Sequence, residues 1–195
     1  MVTDTNTDMS EVQLPGFNFQ HTSTHLSYGG AGLFISKKLD FVRRYDLEFN
    51  VENCETCFIE LISQDKNKNI IVGIIYRHPH NNFDDFFFSL QSVTETIFKK
   101  YNLILLGDTN IDVSVGTTVS QAKIYQDLLL GLDVKNLISR PTRITSTSET
   151  ILDHILTSLP YDLVRSGIVV NDITDHFPIF GFFNLPVKKG YFRPT

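Results

Sequence analysis

Residues 69–76 read Asn-Ile-Ile-Val-Gly-Ile-Ile-Tyr, and this run constrains the fold more than any other part of the chain. A β-branched run with no polar alternation predicts a strand buried on both faces. A packed layer must then lie on each side of the sheet that holds it. Residues 55–63 precede it as a moderately alternating strand, joined through the polar stretch 64–69 as a hairpin loop. After it, Asn81-Asn82 offers a helix N-cap and Asp84-Asp85 suits the first-turn dipole. Phe83, Phe86, Phe87, Leu90, Val93 and Ile97 recur at helical spacing up to Lys99-Lys100. That phenylalanine stripe reads as core.

Further strands are expected at residues 33–35, 46–51, 102–106, 143–145, 151–157, 162–170 and 178–184. A second helix is expected over 120–132, with Ile124, Leu128 and Leu132 on one face. Residues 1–28 are rich in Thr, Asp, Asn and Ser around a Pro15-Gly16-Phe17 turn signal, and are expected to form an irregular surface stretch. Strands outnumber helices and many neighbours are hairpin-like. The expectation is therefore mixed sheets covered by a few helices, in one domain over residues 1–195. Gly29-Gly30-Ala31-Gly32 precedes an apolar run, but no Lys-Ser/Thr or helix follows, so it is not a nucleotide P-loop.

With 42% hydrophobic and 20% charged residues, the composition is that of a globular protein. No apolar run reaches membrane-spanning length, and the start lacks a secretory signal, so an intracellular, nuclear or cytoplasmic protein is expected. Cys54 and Cys57 form a CxxC inside a strand, and the expectation is two reduced thiols rather than a zinc site completed by His78 and His80. A net charge of −5 argues weakly against a nucleic-acid partner. Local basic groups at strand ends and loops qualify that: Lys37-Lys38, Arg43-Arg44, Arg140, Arg143 and Lys188-Lys189.

Three short strings carry the chemistry. Gly107-Asp108-Thr109-Asn110 closes an apolar strand, Asp153-His154 sits inside another, and Asp175-His176 precedes Phe177-Pro178. Strand alternation places Asp108 and Asn110 on one face with Thr109 turned away, although Gly-Asp-x-Asn is also good turn chemistry. Asp153 and His154 must point to opposite faces, and a buried Asp needs a partner such as a histidine from elsewhere. Carboxylates to orient water or hold a metal, with an imidazole to receive negative charge, are what phosphate hydrolysis requires. No GxSxG elbow supports an acyl-transfer triad.

Taken in order, Tyr76-Arg77-His78-Pro79, Gly107-Asp108-Thr109-Asn110, Pro141-Thr142-Arg143-Ile144-Thr145, Leu152-Asp153-His154-Ile155 and Thr174-Asp175-His176-Phe177-Pro178 resemble the endonuclease/exonuclease/phosphatase family. Within it, the chain looks most like the endonuclease domains of non-LTR retrotransposons, over about residues 10–185. Leu14-Pro15-Gly16-Phe17 and residues 29–35 look like that subgroup too.

The resemblance implies an α/β chain of α+β type, a four-layer α/β/β/α sandwich of two mixed sheets flanked by helices. It implies a Mg2+- or Mn2+-dependent phosphodiesterase acting on the DNA backbone, with no membrane and no protein partner. Asp108 would orient or deprotonate water, Asn110 would hold a phosphate oxygen, and His176, oriented by Asp153, would stabilise the pentavalent phosphate. Asp175 would help to bind the metal and Tyr76 would contact the scissile phosphate. Arg77 and Arg143 would bind DNA.

Departures from the family pattern lie at the start. The two strands that carry an Asn and a metal-binding Glu in the family have no counterpart here, with Asp4, Asp8 and Glu11 standing just beyond the expected Glu. An N-terminally truncated sandwich is expected, with sheet edges or apolar surface uncovered and weak activity. A catalytically silent remnant is the main alternative, and a phosphatase for small phosphate esters a lesser one.

Overall fold

A computed structural model describes residues 12–22, 30–64 and 68–187. The expectations for residues 1–11, 23–29 and Lys188-Lys189 lie outside the described residues. Among the described residues twelve strands follow one another: β1 (Phe17–Thr22), β2 (Ala31–Ser36), β3 (Phe41–Arg43), β4 (Cys54–Leu61), β5 (Ile70–Arg77), β6 (Asn102–Asp108), β7 (Lys135–Asn136), β8 (Arg143–Ile144), β9 (Glu149–Thr150), β10 (Asp153–Thr157), β11 (Val164–Ile168) and β12 (Ile179–Phe183). Helix α1 (Phe83–Phe98) separates β5 from β6, and α2 (Ser120–Gly131) separates β6 from β7.

The doubly apolar run becomes β5, inside a six-stranded mixed sheet ordered β3-β4-β5-β6-β10-β7. β5 and β6 are parallel, so their connection must cross over the sheet, and α1 is that crossover. Asn82 caps α1 by accepting from the Asp84 amide at 2.9 Å, while Phe83, Phe86, Leu90 and Ile97 sink into the core. One face of the sheet, with Phe58, Ile71, Ile75, Leu103 and Leu105, packs on α1 and α2. The other face, with Ile59, Ile70 and Ile104, packs on a second β layer.

That second layer consists, among the described residues, of two separate ribbons, β1–β2 and β11–β12. The inner face of the central strands is incompletely covered: Val72, Ile74 and Leu106 are half-buried, whereas Ile71, Ile75 and Leu105 on the helix side are buried. Both described α-helices lie on the same side of the large sheet, so no described helix covers the ribbons.

Three local expectations are corrected. Phe17–Thr22 is a strand, not irregular surface. It alternates Phe17/Phe19 with Asn18/Gln20, a period-2 signal masked by its polar composition. Residues 46–51 are not a strand. Tyr45–Leu47 form a 3-10 turn in which Arg44 grips Asp46 through Nε and Nη2 at 2.8 Å each. Helix α2 buries Ala122, Tyr125 and Leu129, while Ile124 is exposed, so its inner face is turned one residue from the expected stripe. The tyrosine decides this, because its hydroxyl finds a partner inside.

That partner is His154. Its Nδ1 lies 3.0 Å from the Tyr125 hydroxyl and 3.2 Å from Thr109 Oγ1, and its Nε2 lies 3.2 Å from the Ile151 carbonyl oxygen. Nε2 therefore carries the proton and Nδ1 accepts, a fully satisfied neutral ring joining β10, α2 and the end of β6. Burial lowers its pKa to about 4. A lowered histidine pKa means that the unfolded chain binds the proton first, so stability falls as pH drops from about 6.5 toward 4. Between pH 7 and pH 5 this group alone should remove about 2 kcal/mol. Urea unfolding of wild type and His154→Gln at the two pH values checks it: the histidine-dependent slope should be absent from the variant.

Candidate active site

Cross-strand register assembles the rim. Asp108 at the end of β6 pairs directly with Asp153 at the start of β10. In the parallel ladder Asp108 also pairs with Tyr76, and Tyr76 pairs with Glu55 on β4. One transverse row across four neighbouring strands therefore runs Glu55, Tyr76, Asp108, Asp153, all on the ribbon-facing side. His154, one residue on, faces the helices, as strand alternation demands.

His176 comes from a loop, and backbone pairing holds that loop to the row. Phe177 N donates to the Thr142 carbonyl and Ile144 N donates to the Asp175 carbonyl, which closes an antiparallel bridge between Arg143 and His176. Thr142 has no solvent exposure, and its hydroxyl accepts from the Leu152 and Asp153 amides at 3.1 and 3.0 Å. This threonine fastens the β8 segment to the head of β10. Its functional weight was not read from the sequence, although it sits inside the Pro-Thr-Arg string. Thr174 Oγ1 adds a tight turn around the His176 backbone.

The result is a small cluster. His176 Nδ1 lies 2.9 Å from Asp153 Oδ2, and one ligand atom from each of Asp108, Asp153 and His176 falls within 4.8 Å of the others. Two carboxylates and an imidazole at that spacing can hold a divalent cation or orient a water molecule. Burial pushes the Asp108 carboxyl above its ordinary value, opposed by the Asn110 amide at 2.9 Å and reinforced by the neighbouring Asp153 charge. Ionised Asp108 therefore costs stability, and the cost grows as pH rises above the ordinary carboxylate range. Asp108→Asn should raise the metal-free thermal midpoint at pH 7, because the amide carries no charge to bury. Calorimetry reads it directly, and an unchanged or lower midpoint contradicts the strained-carboxylate picture.

The remaining expected residues are placed differently. Asp175 is turned to Arg143, whose Nε donates to it at 2.8 Å and holds its carboxyl below the usual range. It is not one of the three converging groups. Asn110 adopts φ +49° and donates its side-chain amide to the Arg77 carbonyl at 2.7 Å, leaving one amide hydrogen. Arg77, expected on DNA, is 3% exposed. Its guanidinium donates to the carbonyls of Thr109 and Asn81 at 3.1 Å each and lies over the Phe86 ring, so it clamps the motif loop from behind. The resemblance implied a DNA contact for it, but alternation puts it on the helix-facing side of the sheet. Arg143 remains partly exposed at the rim.

Cys54 and Cys57 are both buried and, three residues apart on a strand, face opposite sides of the sheet. Cys57 bonds Arg43, and the His78 Nε2 faces Glu55.

A six-stranded mixed sheet with helices on one face and β ribbons on the other gives this chain the fold of endonuclease/exonuclease/phosphatase proteins of known structure. It is similar to the endonuclease domain of TRAS1, a telomere-specific non-LTR retrotransposon: TM-score 0.68, 15% identity, covering 89% of this chain and 81% of that one. A family protein from Bacteroides thetaiotaomicron gives TM-score 0.58 at 16% identity, covering 90% and 75%. The human Nocturnin catalytic domain, solved with a bound sulfate anion, gives 0.58 at 13%, covering 91% and 75%. No family model and no curated protein sequence matches the chain. Among the described residues, no helix is long and apolar enough to cross a membrane.

Proposed function

We infer that this chain is a divalent-metal-dependent phosphodiester hydrolase acting on DNA, of the retrotransposon endonuclease type. The convergence of Asp108, Asp153 and His176 within 4.8 Å carries the reading. Asp108 orients the attacking water and accepts its proton. Asp153 fixes the His176 ring through Nδ1, so that Nε2 faces the phosphate and receives its developing charge. Asn110 offers its remaining amide hydrogen to a phosphate oxygen, and Tyr76 flanks the same position from β5. Arg143 meets the DNA backbone.

The donor set suits Mg2+ or Mn2+, and the carboxylates that would hold it are Asp108 and Asp153. The sequence pointed to Asp175 for that task, and Asp175 is paired through Oδ2 with Arg143 instead. When bound, such a cation supplies Lewis-acid polarisation of a phosphoryl oxygen. Mg2+ usually takes one or two carboxylates, with water and substrate phosphate oxygens in its remaining positions, and this pair meets that need.

Supercoiled plasmid incubated with the protein and Mg2+ or Mn2+ should convert slowly to open circles, and a chelator should stop it. No conversion with either cation at any protein concentration overturns the reading. If binding of the cation survives in that case, the silent-remnant alternative is favoured.

A further inference from the structure

The geometry points to Glu55 and His78 as a positioning pair for Tyr76, a role that rests on the nuclease reading of the site and deepens it. His78 Nε2 lies 3.0 and 3.1 Å from the two carboxylate oxygens of Glu55. The His78 ring packs on the Tyr76 ring, centroids 4.6 Å apart at 56°. Glu55 and Tyr76 are direct cross-strand partners, and Tyr76 and Asp108 are direct partners on the other side. An acid–imidazole pair therefore buttresses the tyrosine from the flank opposite the Asp153–His176 pair.

Burial decides what the pair can do. Glu55 is 6% and His78 5% exposed, so neither reaches a DNA phosphate, and both act through Tyr76, which is half-exposed. A buried carboxylate and imidazole are costly unless they satisfy each other, and this cost locks both rotamers. The backbone adds to the lock: His78 N donates to the Asn53 carbonyl, and Asn81 N donates to the His78 carbonyl, each at 3.0 Å. Tyr76 consequently has a rigid wall on one side. A phenol held that way meets the phosphate in one orientation, and a loosened one loses rate through misplacement.

Coupling between the pair and the phenol is the readout that a merely structural role would not move. Glu55→Gln keeps shape and one acceptor oxygen, and Tyr76→Phe keeps the ring. In the wild-type background Glu55→Gln should lower kcat for plasmid nicking by about ten- to a hundredfold with KM unchanged. In the Tyr76→Phe background the same change should cost less than about twofold. Equal losses in both backgrounds overturn the proposal.

A second arm needs no turnover. In carbon–proton spectra of the tyrosine rings, Glu55→Gln should displace the Tyr76 resonances and leave those of Tyr125, on the other face of the sheet, in place. Unmoved Tyr76 resonances overturn the positioning role. Displaced resonances in a protein that never nicks DNA support the buttress and overturn the nuclease reading.

Discussion

His176→Ala is expected to reduce metal-dependent nicking by about 10²- to 10⁴-fold, the range for losing a positioned proton-transfer or charge-receiving group. Its side chain is one-third exposed and contributes nothing to the apolar core, so the folded state should survive intact. The loop that carries it is held by backbone contacts to Thr142 and Ile144 and by the Thr174 hydroxyl, none of which needs the imidazole. The loss should therefore fall on kcat, with the thermal midpoint nearly unchanged. Asp153→Asn should follow the same direction, because an amide no longer fixes the ring tautomer from Nδ1. Single-turnover nicking by wild type and both variants measures this. Wild-type rates in His176→Ala would remove the imidazole from the chemistry.

Gly107→Ala should destabilise the domain by more than about 4 kcal/mol, a size that single substitutions rarely reach. Gly107 has φ +137°, a region that side-chain-bearing residues avoid. A methyl there would overlap the Ile75 carbonyl oxygen on the adjacent strand and sit 2.9 Å from the carbonyl carbon. Both obstacles are backbone, so no rotamer change relieves them. Relief would require β6 to part from β5 at the point where Tyr76 and Asp108 pair. The substitution should therefore also scatter the row that holds Tyr76 and Asp108, and urea unfolding with nicking on any folded fraction reads both effects. A cost under about 1 kcal/mol would contradict the close approach.

How much of this was legible in the sequence depended on periodicity. β5, α1 and β6 could be read because their apolar patterns leave little choice, and the sheet's inner position for residues 69–76 followed directly. β1 could not be read from composition, since its alternate residues are Asn, Gln and Thr. The face of α2 was misjudged because a Leu/Ile stripe competes with a tyrosine whose hydroxyl has a buried partner 29 residues away. At the site, the sequence named the acids and imidazoles individually. The resemblance assigned Asp153 to orient His176, and the two lie 2.9 Å apart; that Asp175 is directed at Arg143 was not legible, because long-range loop pairing sets it. The pairing of Glu55 with His78 was not legible for the same reason. Their partnership appears only once β4 and β5 are in register.

The central claim is that Asp108 and Asp153 together form a divalent-cation site. The most direct test is the thermal midpoint of wild type and of the Asp108→Asn/Asp153→Asn variant, titrated with Mg2+ and Mn2+. Selective binding to the folded state predicts a wild-type midpoint that climbs with the logarithm of cation concentration, and a flat line for the variant. An equal climb in both proteins, or none in either, would contradict it.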